Sequence, residues 1–317
     1  MSSLPLTRVD FDAAATRISG KVRRTPTLEA VACKSDPAPG ARLLLKLENL
    51  QPTGSFKVRG ATNTVMSLSD EEKARGLITA SGGNHGLGVA FGASMSGCPA
   101  VIYLPESTPS SKAAKLQEWG AEVIVHGAVW DDANEAALAR AEAEGLTYIH
   151  PFADPRVVAG QGTIALEMLE DNPEIDTLVV AIGGGGLIAG VATAAKLRNP
   201  DIRIIGVEPI GAPTHHAARA AGHLVTLEKI ETAAGTLAPR TSAELNFGLI
   251  SAHVDELVLV SDPEMKTAAE WLWTEAGVAA ELSGAAALAA IRSGGAAVEA
   301  GSCVGVIVCG AGTDGIG

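Results

Sequence analysis

In the stretch Leu178-Val179-Val180-Ala181-Ile182-Gly183-Gly184-Gly185-Gly186-Leu187, five apolar residues run straight into four glycines. The apolar run is short and uninterrupted, as in a strand covered on both faces. A helical pattern follows over 186–197. Strand, glycine turn and helix make the first half of a βαβ unit. The same alternation continues outward in both directions. Strand-like runs fall at 77–80, 100–104, 123–126, 204–208, 257–260 and 304–308. Helical patterns fall at 85–96, 110–119, 131–144, 160–170, 262–276 and 283–291. The expectation is an α/β protein of two open, twisted, mostly parallel sheet domains. Residues 72–150 form a compact βαβα run, and His150-Pro151-Phe152-Ala153-Asp154-Pro155 reads as a crossing back. The expected division is a large domain over 1–71 plus 151–317 and a small, mobile one over 72–150. The site then lies in the cleft between them, where the C-terminal ends of the strands meet.

The bulk composition narrows the function classes. With 47% hydrophobic residues but only 3% aromatic, the core is aliphatic. A net charge of -12 without a Lys/Arg-rich run argues against nucleic acid or an anionic membrane as partner. Any anion must therefore be held by local geometry. Cys33, Cys98, Cys303 and Cys309 show no CxxC spacing, which fits a reducing, cytoplasmic setting rather than a disulfide framework or a zinc site. Met1-Ser2-Ser3-Leu4-Pro5 does not read as a signal peptide, and no stretch reads as a membrane span.

Three segments carry chemistry. The four glycines allow close backbone approach, and the helix start behind them adds partial positive charge, so Gly183, Gly184, Gly185, Gly186 and Leu187 form a phosphate cradle. The pattern is neither GxxxxGK[ST] nor GxGxxG with its acidic partner, so nucleotide readings are weak. The second segment is Glu48-Asn49-Leu50-Gln51-Pro52-Thr53-Gly54-Ser55-Phe56-Lys57, a polar turn that delivers one lysine beside an aromatic ring. A lysine that loses solvation there loses basicity and becomes a nucleophile toward an aldehyde. The third is Ser81-Gly82-Gly83-Asn84-His85-Gly86, again between strand and helix, whose backbone donors suit a carboxylate. Alone, these read as a tight turn, a solvated helix-start lysine and a helix cap. Together, an amine nucleophile, a phosphate cradle and a carboxylate loop point to pyridoxal 5'-phosphate with an amino acid substrate.

With these residues in view, the chain resembles the serine/threonine dehydratase and serine racemase group of fold-type II pyridoxal-phosphate enzymes, whose fold is tryptophan synthase β-like. The matching runs span nearly the whole length: Gly54-Ser55-Phe56-Lys57-Val58-Arg59-Gly60-Ala61, Ser81 to Gly86, Ala159-Gly160-Gln161-Gly162-Thr163, Gly183 to Leu187, Val207-Glu208-Pro209 and Val308-Cys309-Gly310. The resemblance implies that Lys57 carries the cofactor as a Schiff base and later moves the Cα proton. Phe56 would flank the cofactor ring, Asn84 would bond its hydroxyl, and Gly183, Gly184, Gly185, Gly186 and Leu187 would hold phosphate. Ser81, Asn84 and His85 would receive the substrate carboxylate. Cys309 would face the pyridine nitrogen as a neutral partner, which favours elimination. Relatives of this group are usually homodimers.

The departures sharpen the expectation. Racemases of the group carry Ser at the second position of the Ser-x-Gly-Asn loop; here it is Gly82, so racemisation is disfavoured. The relatives' divalent-cation site (Mg or Ca) matches at Glu208 and Ala212, but Thr214 replaces its Asp. The expected reaction is dehydration and deamination of a β-hydroxy amino acid, by default L-threonine or L-serine, to a 2-oxo acid and ammonia. Three alternatives stay open: 3-hydroxyaspartate, an aromatic 3-hydroxy amino acid with Trp130 as a wall, and serine racemisation. A different class, a non-catalytic cofactor or phosphate binder, also stays open. Trp130-Asp131-Asp132-Ala133 offers no arginine for a second substrate carboxylate, and Trp130 also reads as helix-start packing.

Overall fold

A computed structural model describes residues 6–316; the leader reading, which rests on residues 1–5, lies outside them. Ten strands build two sheets among the described residues: β1 (Thr27–Glu29), β2 (Arg42–Leu47), β3 (Leu77–Ala80), β4 (Ala100–Leu104), β5 (Glu122–Val125), β6 (Thr147–Tyr148), β7 (Thr177–Ala181), β8 (Arg203–Pro209), β9 (Glu256–Val260) and β10 (Cys303–Val308). The larger sheet runs β1-β2-β10-β7-β8-β9 and the smaller β5-β4-β3-β6. Every pairing is parallel except the edge pair β1–β2. The strands at the heart of the larger sheet, β7 and β10, are buried along their whole length. That is the cause of their unbroken apolar runs: helices cover both faces.

Helix ends follow local chemistry. The helix Asp262–Ala276 starts on a reciprocal Ser261/Glu264 capping box and stops at Gly277, whose φ of +66° suits glycine. The helix Pro155–Asp171 begins a turn and a half earlier than the apolar pattern suggests. Asp154 accepts the Arg156 N–H there, and Pro155 needs no donor in the first turn. Four helices not read from sequence are Arg8–Ile18, Asp70–Arg75, Thr214–Ala221 and Glu244–His253.

The helix Lys57–Met66 lies between the two cores. Ala61, Val65 and Leu68 pack into the smaller sheet's core with Leu77, Ile102 and Leu104, although they precede residue 72. Its other face meets the helix Pro155–Asp171 backbone to backbone: a Cβ on Gly160 would lie 2.6 Å from the Gly60 Cα. This glycine contact sets the height of Lys57 above the larger sheet. The segments after β2, β3, β7 and β10 all leave their strands at the C-terminal ends. They carry Lys57, the Ser81–Gly86 loop, the four glycines and Cys309 respectively, so parallel topology alone gathers the chemistry at one cleft.

Candidate active site

Phe56, Lys57, Asn84, the loop from Gly183 to Leu187 and Cys309 line one cavity of ≈ 440 Å³. Phe152, Thr236, Leu237 and Glu281 complete it.

Lys57 opens its helix, and its half-buried side chain reaches the cavity, where Nζ donates to the Pro151 carbonyl at 2.8 Å. Nζ lies 5.3 Å from the centre of the Phe56 ring. Burial pushes the amine down to about 8, against the opposing influence of Cys309 and Glu281. A lowered amine pKa means a larger neutral, nucleophilic fraction at a given pH. The rate at which the unloaded protein takes up pyridoxal 5'-phosphate should therefore rise with pH and level off above about 8. A rate still climbing toward the range of a solvated lysine, followed by stopped-flow absorbance, would contradict that environment.

The glycine loop turns at Gly185, with φ +89°, before the helix Gly186–Arg198. Protein packs the Cα side of each glycine. A Cβ at Gly183 would lie 2.8 Å from the Thr236 carbonyl oxygen, and one at Gly184 would lie 2.3 Å from the Phe152 ring. One at Gly185 would lie 2.7 Å from His215 Nε2. Ser242 Oγ and Asn246 Nδ2 donate to the Gly184 carbonyl at 3.0 and 2.7 Å and hold the loop from behind. Among the described residues, no acceptor takes the N–H groups of Gly183, Gly184, Gly185, Gly186 or Leu187. Orphaned donors at a helix start are what a phosphate satisfies, so the cradle fits the cofactor's phosphate.

Cys309 is buried, and its Sγ lies 3.4 Å from the Ser283 carbonyl, to which the thiol donates. Burial pushes the thiol well above its ordinary range, with Glu281 acting the same way, so it stays neutral. Asn84 opens the helix Asn84–Ser96 after the Ser81 loop, and its Nδ2 donates to Glu281 at 3.0 Å. Ser81 Oγ accepts from the Gly83 N–H within the loop. Ser81 and His85 do not line the cavity. The His85 imidazole turns away: its Nε2–H donates to the Ile149 carbonyl at 2.9 Å, and burial pushes the ring down to about 3. A neutral ring turned away leaves only the backbone N–H of His85 to serve a carboxylate.

The expected cation ligands have other partners in the structure. Both Glu208 oxygens accept backbone N–H groups, of His215 and His216 at 2.7 and 2.8 Å, and so cap the helix Thr214–Ala221. The Ala212 carbonyl accepts the Thr214 N–H at 3.0 Å. Among the described residues, no three His, Cys, Asp or Glu side chains are grouped to hold a metal. Glu208 thus sits at a helix start, where burial raises its carboxyl to about 7 against the two backbone N–H groups.

Sequence reading missed Phe152, Thr236 and Glu281. Glu281 had a legible signal: it is the one acid in the apolar run 278–291. Phe152 was read only as part of a turn. Thr236 sits in a short 3-10 turn with no periodicity to mark it. Trp130 does not line the cavity; its indole N–H donates to the Ala80 carbonyl at 2.8 Å, where its helix starts.

Comparison with known proteins shows the family. The family model described as "Pyridoxal-phosphate dependent enzyme" matches residues 18–310. An L-threonine ammonia-lyase of Thermotoga maritima is 42% identical over 286 residues, covering 90% of this chain and 71% of the relative. The catabolic L-threonine dehydratase of Escherichia coli K12 is 37% identical over 295 residues, covering 92% and 88%. The solved structure of maize serine racemase superposes with a TM-score of 0.91 at 36% identity, covering 96% of this chain and 92% of that one. No helix among the described residues is long and apolar enough to cross a membrane. With its amine, orphaned N–H cradle and neutral thiol in one cleft, the chain belongs to the pyridoxal-phosphate dependent enzyme family, in its fold-type II form.

Proposed function

We propose that this enzyme is an ammonia-lyase that dehydrates and deaminates β-hydroxy amino acids, with L-threonine and L-serine as substrates. The observation that carries the reading is a partly neutral Lys57 amine in the same cavity as the free N–H groups from Gly183 to Leu187. Bound here, pyridoxal 5'-phosphate supplies an aldehyde carbon and a conjugated ring that spreads the negative charge appearing at Cα. The loop from Gly183 to Leu187 holds its phosphate, and the N–H groups at the start of the helix Asn84–Ser96 receive the substrate carboxylate. Lys57 Nζ, freed when the substrate amine is held by the cofactor, would accept the Cα proton as general base. The protonated Lys57 Nζ would pass that proton to the β-hydroxyl, which would leave as water, and water would hydrolyse the released enamine to the 2-oxo acid and ammonia. The neutral Cys309 thiol does not place a positive charge at the ring nitrogen, so a departing β-hydroxyl competes well with reprotonation of Cα.

Gly82 supports elimination over racemisation at this site. Gly82 presents no side chain, and Thr108 fills the space beside it: its Cγ2 and Oγ1 lie 2.8 and 3.2 Å from where a Cβ would stand, with Leu104 Cδ2 at 3.3 Å. The Thr108 hydroxyl is a group that sequence reading did not place there. Assays of the loaded enzyme should give 2-oxobutanoate and ammonia from L-threonine, and ammonia from L-serine without comparable D-serine. D-serine formed faster than ammonia would overturn the assignment. So would activity restricted to 3-hydroxyaspartate or aromatic substrates.

A further inference from the structure

Glu281 is a carboxylate in a cleft that otherwise collects donors for anions. It precedes the helix Leu282–Arg292 on the larger-sheet side, yet it lines the same cavity as Lys57 and Asn84. Its partners are neutral: Oε1 accepts from Asn84 Nδ2 at 3.0 Å and from Thr236 Oγ1 at 3.3 Å. The chain has made room for this side chain. A Cβ on Gly310 would lie 2.3 Å from Oε1, and one on Gly312 would lie 2.7 Å from the Glu281 Cβ. The Asn84 bond spans 197 residues of sequence and bridges the cleft, because Asn84 follows β3 of the smaller sheet.

We propose that Glu281 is a positioning residue that holds the Asn84 amide across the cleft and selects which end of it faces the bound cofactor. Asn84 carries a donor end and an acceptor end. An ionised Glu281 can only accept, so it fixes the donor end at the cavity, where that end would face a bound cofactor's ring oxygen and would favour its deprotonated form. A protonated Glu281 can donate; Asn84 then turns its carbonyl toward Glu281 or the ring oxygen, and the protonated ring oxygen gains. Lowering the pH therefore moves the loaded enzyme from its visible absorbance band toward its near-ultraviolet one. Burial, with Asp314 acting the same way, raises the Glu281 carboxyl above its ordinary range, which brings this change closer to neutral pH. The other titratable groups facing Glu281 do not supply the response. Lys57 is consumed when the cofactor is bound, the Cys309 thiol stays protonated by burial, and Asp314 bonds the Leu282 N–H rather than Asn84.

The proposal rests on the pyridoxal-phosphate reading of the cleft, and the test separates the two. Wild type, Glu281→Gln, Asn84→Ala and the double variant are loaded with pyridoxal 5'-phosphate. The ratio of the two bands is followed against pH, with kcat and KM for L-threonine. Glu281→Gln keeps the shape of the side chain and removes a buried charge, so it folds and takes up cofactor. Its band ratio should be flat with pH, and kcat should fall about tenfold, the order of one hydrogen bond, with a smaller change in KM. Asn84→Ala should be equally flat, and adding Glu281→Gln to it should change nothing further, because the two act as one unit. A Glu281→Gln enzyme with the wild-type pH response overturns the assignment, as does full additivity in the double variant. A wild-type protein that takes up no cofactor overturns the parent reading and this one with it.

Discussion

Lys57→Ala is expected to abolish turnover and the absorbance of covalently held cofactor, while leaving the fold and the phosphate cradle in place. Two losses coincide. No other lysine lines the cavity, so nothing there can join the aldehyde. The amine that accepts the Cα proton is lost as well. General-base removal alone is worth about 10²–10⁴-fold and covalent capture adds to it, so a loss of at least ~10³-fold is expected. Lys57→Arg should be as inactive: it restores a cation but stays protonated and cannot form the bond. Lys46 cannot substitute, because its Nζ is locked to Glu167 at 2.6 Å and to the Thr25 carbonyl at 2.8 Å. The measurement is 2-oxo acid formation beside an absorbance titration with pyridoxal 5'-phosphate. Full turnover by Lys57→Ala would remove Lys57 from the mechanism.

The parts of this site that were legible in sequence share one property: backbone geometry fixes them locally. The glycine run over 183–186 follows an apolar strand and opens a helix, and its use of free N–H groups follows from that order. Parallel strands were legible because burial on both faces leaves continuous apolar runs, as at β4 and β10. What stayed hidden depends on contacts distant in sequence. Glu208 matched a cation ligand by position, but its partners are amides of a helix that sequence reading did not find. His85 sits in the carboxylate loop, yet only the fold shows that its ring is turned to Ile149. The short strands β1 and β6 carry too few residues for any period to show. Arg59 lay inside a matched run with no role attached, because its partners come from three other segments.

Replacing Arg59 with Met is expected to be the most damaging single change away from the chemistry. Arg59 is fully buried, and its guanidinium serves two carboxylates. Nε and Nη2 bond Glu48 at 2.7 and 2.8 Å, while Nη1 and Nη2 bond Glu167 at 2.7 and 2.8 Å. The last hydrogen, on Nη1, goes to Thr163 Oγ1 at 3.1 Å, and the Arg23 carbonyl shares an Nη2 hydrogen at 3.3 Å. Glu48 is itself fully buried; burial raises its carboxyl, but Arg59, Thr25 and Lys46 together hold it below the ordinary range. With Lys46 beside Glu167, two cations offset two anions. Removing Arg59 leaves Glu48 without its cation in a dry interior, a change that costs about 3–5 kcal/mol. The melting temperature should fall by on the order of 10 °C. Activity should fall too, because Arg59 is two residues from Lys57 on the same helix and anchors it to Glu48 and Glu167. Arg59→Lys should rescue little, since an ammonium cannot serve two carboxylates in a planar fork. Glu48→Gln in the Arg59→Met background should recover part of the loss by removing the stranded charge, a coupling that a packing defect alone would not show. A variant Arg59→Met that melts with the wild type would mean that water reaches this cluster and that the helix bearing Lys57 is held by its glycine contacts alone.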